Sequence, residues 1–294
     1  MIEYLLGNFM VNTGIITDDA LKRVLDIQDK ARMKIGVLAV MEGYMTTAQT
    51  RQVNFIQTMV DKKFGEIAVE KGYLSEEQVE ELLKKQGNEY LAFIQRLIDE
   101  DLCSIEEADA ILYGFQIENG FTDEQIERFK SADIEGIVDM YLPAGAAECK
   151  KLAVMAVKAT IRGIDRHAYI GQAYMTDIYE AKAPVTQYIE GKQDFTSGIA
   201  DINNGMCSVA TVFGRMPYEK LDEDTQDACG EFLNCINGIF VSDESDDENM
   251  YELAPPKIEQ HGVLSSDGIL VLPIYIEDKS FAFIVTEHTW DIQN

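Results

Sequence analysis

The chain has 294 residues and a formal net charge of −27, yet 46% of its residues are hydrophobic, enough for a buried core. That excludes a disordered acidic chain, and its length suggests two domains. So negative a protein repels phosphate backbones and anionic lipid, which excludes general nucleic-acid and membrane-surface binding.

The first element is a helical repeat with a period of 29 residues. Gly7, Gly36 and Gly65 recur at that spacing, as do Gly14, Gly43 and Gly72, then Thr17, Thr46, Ser75 and Ser104, and Gln28, Gln57 and Gln86. Each unit reads as a short helix, a glycine stop, a hydroxyl N-cap and a second helix. Thr46–Gln49, Ser75–Gln78, Ser104–Glu107 and Thr122–Gln125 have the spacing of a capping box. Thr17 fits the cap, but Ala20 offers no return partner. Ile16, Leu21, Val24 and Leu25 follow helical spacing. The expectation is an all-α domain over 1–116. A capped helical connector over 117–145 then ends at Leu142-Pro-Ala-Gly145.

The pattern then changes. Residues 146–164 read as a helix with Leu152, Met155, Ala156 and Ala159 on one face. Strands are expected over 167–178, 184–191, 193–202 and 205–213, with turns at Glu190-Gly191 and Asn203-Asn204-Gly205, the last read as a hairpin. A helix over 225–240 and an acidic loop over 242–248 follow, then strands near 258–265, 269–276 and 280–287. The fold class is therefore α plus α+β: a helical-repeat domain, then a mainly antiparallel sheet with packed helices over 146–294.

The segment Asp227-Ala-Cys-Gly230-Glu231-Phe-Leu-Asn234-Cys-Ile-Asn-Gly238 is the candidate site. On a helix, Asp227, Glu231, Asn234 and Gly238 fall in a stripe about 60° wide. The rest of the circumference is largely apolar. Glycine inside a helix costs about 1 kcal/mol relative to alanine, which asks for a reason such as close approach of another backbone. Glu231 and Asn234, three residues apart, can address one ligand. On spacing alone they would be a solvated face.

Five cysteines (Cys103, Cys149, Cys207, Cys229, Cys235) form no CxxC pair. The three histidines (His167, His261, His288) are far apart, so no His/Cys metal site is expected. Reduced, mostly buried thiols fit a cytoplasmic protein. No apolar run of about 18 residues occurs, and Met1 is not followed by a basic region and an apolar core. Neither a membrane span nor a secretory signal is expected. The acidity is uneven: the net charge is −4 over 1–100, −9 over 101–150, +1 over 151–200 and −15 over 201–294.

Two resemblances follow from these motifs. The units Leu5-Leu-Gly through Gln28, Lys34-Ile-Gly through Gln57 and Lys63-Phe-Gly through Gln86 are each 24 residues long with five-residue spacers. They resemble the MshEN domain of type II secretion and pilus-assembly ATPases, whose tandem motifs bind cyclic di-GMP in some members. That resemblance implies a candidate ligand site at Gly7, Gly14, Lys34, Gly36 and Gly43. Departures are Leu5, Lys34 and Lys63 at the motif's leading arginine, and Thr50 and Asn54 at leucine positions. Lysine does not replace the planar stacking fork of arginine. The competing reading is a helical protein-interaction module whose glycines are helix stops.

The string D-A-x-G-E-x-x-N-x-x-x-G, followed by Leu253-Ala-Pro-Pro256 and His261-Gly262, resembles the CheC/CheX/FliY family of chemotaxis phosphatases. The first helix has Glu148-Cys-Lys-Lys151 where a second E-x-x-N would stand, so one site remains, as in the CheX branch. The resemblance implies hydrolysis of the aspartyl phosphate of a CheY-like response regulator, with Asn234 and Glu231 catalytic and Asp227, Gly230 and Gly238 supporting. It implies Mg²⁺ held by the regulator, with no metal ligand here, and a homodimer paired through its sheets. The alternative is a non-catalytic adaptor that binds a receiver domain or a flagellar-switch-like partner and responds to cyclic di-GMP.

Overall fold

The computed structural model describes residues 1–27, 33–60, 62–246, 250–259 and 261–293. The chain divides into two compact units, Ile2–Asp133 and Ile134–Asn294.

The first unit is helical throughout its described residues: α1 (Ile2–Asn12), α2 (Asp18–Asp26), α3 (Ile35–Met41), α4 (Thr47–Gln57), α5 (Phe64–Glu70), α6 (Glu76–Lys85), α7 (Glu89–Asp99), α8 (Ile105–Asn119) and α9 (Asp123–Lys130). The hydroxyl caps sit where the repeat puts them. Thr46, Ser75, Ser104 and Thr122 each accept the amide three residues on, and Gln49, Gln78, Glu107 and Gln125 reach back to the cap amide. Thr17 accepts only the Ala20 amide. Gly14, Gly43 and Gly72 adopt φ of +75°, +72° and +70°, the left-handed stop that a side chain would strain. Gln28 lies outside the described residues.

The glycines seven residues earlier do different work. Gly7, Gly36 and Gly65 lie inside α1, α3 and α5, where the following helix packs against their missing side chains. Thr50, at one of the leucine positions of the motif, is buried in α4, and its hydroxyl donates to the Gly36 carbonyl at 3.3 Å. Tyr90, Phe115, Phe121 and Phe129 form an aromatic core with ring centroids 5.1 to 6.3 Å apart. A largely buried ion pair joins Arg96 to Glu3.

The second unit begins with α10 (Ile134–Tyr141), a single 3-10 turn (Ala144–Ala146) and α11 (Lys150–Gly163). Next come β1 (Tyr169–Ile170), β2 (Tyr174–Glu190), β3 (Phe195–Asn203), α12 (Gly205–Gly214) and α13 (Glu223–Glu244). The chain closes with β4 (Glu252–Leu253), β5 (Lys257–Ile258), β6 (His261–Ile276), β7 (Lys279–Thr286) and β8 (Asp291–Gln293). The strands form one antiparallel sheet in the order β1-β6-β7-β3-β2-β4, with β5 on β2 and β8 on β6. The first half of β2 also pairs with β6 and its second half with β3, so the sheet bends back on itself. Ala181, Ala200, Leu264, Ile269, Val271, Ala282, Ile284 and Trp290 form one of its core clusters. Helix α13 packs on β2, α12 against β3 and β7, and α11 against α13 and β7.

Several expectations are corrected. Residues 205–213 are helix α12, not a strand, and Asn203-Asn204-Gly205 is a helix entry, not a hairpin. Asn204 takes the left-handed conformation, and a Cβ on Gly205 would lie 2.2 Å from the Ser280 carbonyl carbon, so glycine lets α12 start against β7. Residues 174–190 form one strand, not two; it bends at a bulge between Lys182 and Val185, where Ala183 has φ +48° and Pro184 gives up no needed donor. Likewise 261–276 is one strand with Gly268 at φ +79°. Helix α13 runs on through Glu244, so Ser242, Asp243 and Glu244 are helical, while 247 and 248 lie outside the described residues. Helix α11 starts at Lys150, not at 146.

Candidate functional site

Helix α13 is set by its own sequence before it meets anything else. Asp222 caps it, accepting the Thr225 amide at 3.2 Å, and Glu223 and Asp224 complement the positive end of the helix dipole. Cys229, Phe232, Leu233, Ile236 and Phe240 are buried. Asp227 and Glu231 are exposed, and Asn234 and Gly238 half-buried, so the polar stripe lies outward along one edge of the packed face. A Cβ on Gly238 would meet nothing within 4 Å; one on Gly230 would make ordinary contacts with Val185 and Pro256.

Asn234 is not a loose surface amide. Its Oδ1 accepts a hydrogen bond from Gln187 Nε2 at 2.8 Å. The same nitrogen donates to the Ala254 carbonyl at 2.8 Å, and Gln187 Oε1 accepts from Asn237 Nδ2 at 2.8 Å. Asn237 Oδ1 in turn accepts from the Ser197 hydroxyl at 3.0 Å. Gln187, Asn237 and Ser197 are at most 1% exposed. Leaving one such buried group unpaired would cost about 1–3 kcal/mol. Asn234 Nδ2 has no protein partner among the described residues. Sequence reasoning missed Gln187 and Asn237. The only signals were an amide in the strand run Val185–Ile189 and a third polar residue three positions beyond Asn234.

The crest of α13 separates two surfaces of opposite character. Asp224, Asp227 and Glu231 line an open groove with Met216, Tyr218 and Pro256. On the other flank, Cys235 and Ile239 line a cleft of about 740 Å³ with Lys150, Lys151, Lys158 and Arg162 of α11. Several of these cations are paired within the unit: Lys150 with Asp139 at 2.7 Å, Lys151 with Glu244, and Lys158 with Glu135 at 3.4 Å. At the position of a second E-x-x-N, Glu148 is exposed just before α11 and Lys151 is the residue ion-paired to Glu244. Among the described residues no group of three or more His, Cys, Asp or Glu could hold a metal ion. No described helix is long and apolar enough to cross a membrane.

In the first unit, a Cβ on Gly7 would strike Leu21, and one on Gly36 would strike Thr50 and Phe64. Gly14 and Gly43 have open space around them. Lys34 precedes α3; its amide donates to Gln95 Oε1 at 3.0 Å and its ammonium pairs with Asp99 at 2.7 Å.

No protein-family model matches the chain, and no curated protein matches it. Several solved structures are similar to about half of the chain. A chemotaxis protein CheX from Desulfovibrio desulfuricans is 15% identical, covering 49% of this chain and 98% of that one, with a TM-score of 0.40. A CheC-like superfamily protein from Shewanella sp. PV-4 is 13% identical over 47% and 94%, with a TM-score of 0.40. A chain of the CheX–CheY–BeF3–Mg²⁺ complex from Borrelia burgdorferi is 15% identical over 47% and 96%, with a TM-score of 0.38.

Proposed function

We propose that this chain hydrolyses the aspartyl phosphate of a CheY-like receiver domain, with the N-terminal unit as a regulatory or interaction module. The observation that carries the reading is the pair Glu231 and Asn234 on the outward stripe of α13, with the Asn234 carboxamide oxygen tied to the buried Gln187. The motif string around them supplies the chemical class.

Hydrolysis of an acyl phosphate needs a water held in line with the leaving carboxylate, and positioning supplies most of the catalysis. Asn234 suits that task because it is neutral and adds no negative charge beside a phosphoryl group. Gln187 takes one of the two Oδ1 lone pairs; the other lone pair and the Nδ2 hydrogens stay available to water and a phosphoryl oxygen. Glu231, one turn away and exposed, pairs with a cation on the receiver and sets the register of the two proteins. The Mg²⁺ belongs to the receiver in this scheme.

The test mixes the full chain with CheY charged by acetyl phosphate and follows phosphate loss. Asn234→Ala is expected to abolish the acceleration while binding is retained, and Glu231→Ala to weaken binding. Binding without any acceleration by the wild-type chain would make the protein an adaptor. Titration with cyclic di-GMP distinguishes a nucleotide-responsive N-terminal unit, which gives heat at micromolar ligand, from a protein-docking one, which gives none.

A further inference from the structure

Gln187, Asn237 and Ser197 form a polar column inside apolar packing. Gln187 and Ser197 face each other across the β2–β3 register, and α13, which carries Asn234 and Asn237, lies over β2. The flanking Val185, Ile189, Leu233 and Ile236 are at most 1% exposed. A leucine or methionine at 187 would fill this place without burying polar atoms, and a buried amide is tolerated only when its groups are paired. Gln187 meets that condition: both Nε2 hydrogens and its carbonyl are used.

The column has a fixed polarity. The Ala254 carbonyl can only accept, so it decides which end of the Gln187 carboxamide lies on its side, and that end must be Nε2. Nε2 can only donate, so Asn234 must turn Oδ1 toward it. On the other side, Gln187 Oε1 requires the amide nitrogen of Asn237, whose oxygen then takes the Ser197 hydroxyl hydrogen. Reversing any one amide would set two acceptors or two donors against each other.

We infer that Gln187 is the positioning residue for Asn234. Anchored by the Ala254 carbonyl, it selects the one carboxamide orientation in which Asn234 keeps its Nδ2 hydrogens for a ligand. The consequence for turnover rests on the phosphatase reading; the orientation itself does not.

The experiment uses the full chain with Gln187→Met, which preserves length and removes the hydrogen bonds. It has two readouts. In ¹⁵N spectra, the Asn234 side-chain amide pair, assigned by its loss in Asn234→Ala, is expected to shift and broaden or average in Gln187→Met. With CheY charged by acetyl phosphate, phosphate release at saturating CheY is expected to fall about 10- to 100-fold while CheY binding is unchanged. In an Asn234→Ala background the same substitution is expected to cause no further loss. Should Gln187→Met fail to fold, Ser197→Ala shortens the column from its far end and is expected to shift the same amide pair with a smaller loss of rate. An Asn234 amide pair unchanged by Gln187→Met would overturn the inference. So would a rate loss matched by an equal loss of CheY binding, or one that persists without Asn234. If the wild-type chain releases no phosphate, the phosphatase reading fails, and the amide spectrum alone decides the positioning role.

Discussion

Gly7 lies so close to Leu21 that a Cβ on the glycine would sit 2.4 Å from Leu21 Cδ1. The same contact recurs once per repeat: Gly36 meets Thr50 at 2.7 Å and Gly65 meets Val79 at 2.9 Å, each glycine facing the residue fourteen positions on. The 29-residue period is thus the period of a helix–helix contact. Packing is less forgiving at Gly36, where Phe64 ring carbons stand 2.8 Å away as well. Gly36→Ala is expected to destabilise the chain by about 1–3 kcal/mol through overpacking. Gly87→Ala, with nothing within 4 Å of its Cβ, is the control and should melt like wild type. Thermal unfolding followed by circular dichroism reads both. An unchanged melting temperature for Gly36→Ala would show that the glycine is not needed for packing.

Local chemistry was legible in the sequence where one residue controls one backbone group. The boxes at Thr46, Ser75, Ser104 and Thr122 and the left-handed stops at Gly14, Gly43 and Gly72 follow from side chains acting within a turn. What failed was decided at longer range. Met206–Phe213 is rich in β-branched and apolar residues and reads as a strand, yet it is held as a helix between α13 and the sheet. Pro184 and Gly268 look like breaks, but both sit in continuous strands where a bulge or kink absorbs them. At the candidate site, Glu231 and Asn234 are picked out by the motif string around them, not by their spacing alone. Gln187 is not, because it lies 47 residues from Asn234 and meets it only through packing of α13 on β2.

Gly238 gives a prediction in which stability and function move in opposite directions. It stands in the interior of α13, and a Cβ there would meet nothing within this chain. Gly238→Ala is expected to stabilise the helix by about 0.5–1 kcal/mol, because alanine loses less backbone entropy on folding. If the glycine leaves room for a docking receiver, the same substitution weakens CheY binding, and Gly238→Leu weakens it further. Calorimetric titration checks this; a higher melting temperature with unaltered affinity for both variants would remove Gly238 from the docking surface.

Thiol chemistry can mark the same crest. Cys235, the residue after Asn234, is exposed, whereas Cys103, Cys149, Cys207 and Cys229 are buried. Burial pushes the Cys103 thiol up to about 11 and those of Cys149 and Cys229 up to about 12, and raises that of Cys207. The thiolate is the reactive form, so a disulfide reagent near neutral pH is expected to titrate Cys235 quickly and the other four only on unfolding. A bulky adduct on Cys235 is expected to block CheY binding, and bound CheY to slow the labelling. Labelling that leaves binding intact would place the receiver elsewhere. A Cys235→Ser chain that still shows a fast thiol would mean that a buried cysteine opens readily.

The Tyr188–Asp194 pair closes the β2–β3 turn and has a defined pH window. The Tyr188 hydroxyl donates to Asp194 Oδ2 at 2.7 Å, and the Gly191 amide donates to Oδ1 at 3.1 Å. These bonds, Tyr188 first, hold the Asp194 carboxyl below its ordinary range, while hydrogen bonding to that carboxylate pushes the Tyr188 phenol up to about 12. Because the folded chain favours the Asp194 carboxylate, its contribution is present above the unfolded value near ~3.9 and is lost as pH falls through the lower folded value. Because it favours the protonated phenol, that contribution is complete below about pH 10 and is lost as pH rises toward the folded value. Tyr188→Phe is therefore expected to be less stable than wild type across neutral pH. The gap should close below about pH 4 and again above about pH 10. Urea unfolding of both proteins across pH measures the gap directly, since the other titrating groups cancel in the difference. A gap that stays constant into strong acid would show that the bond to Asp194 does not stabilise the turn.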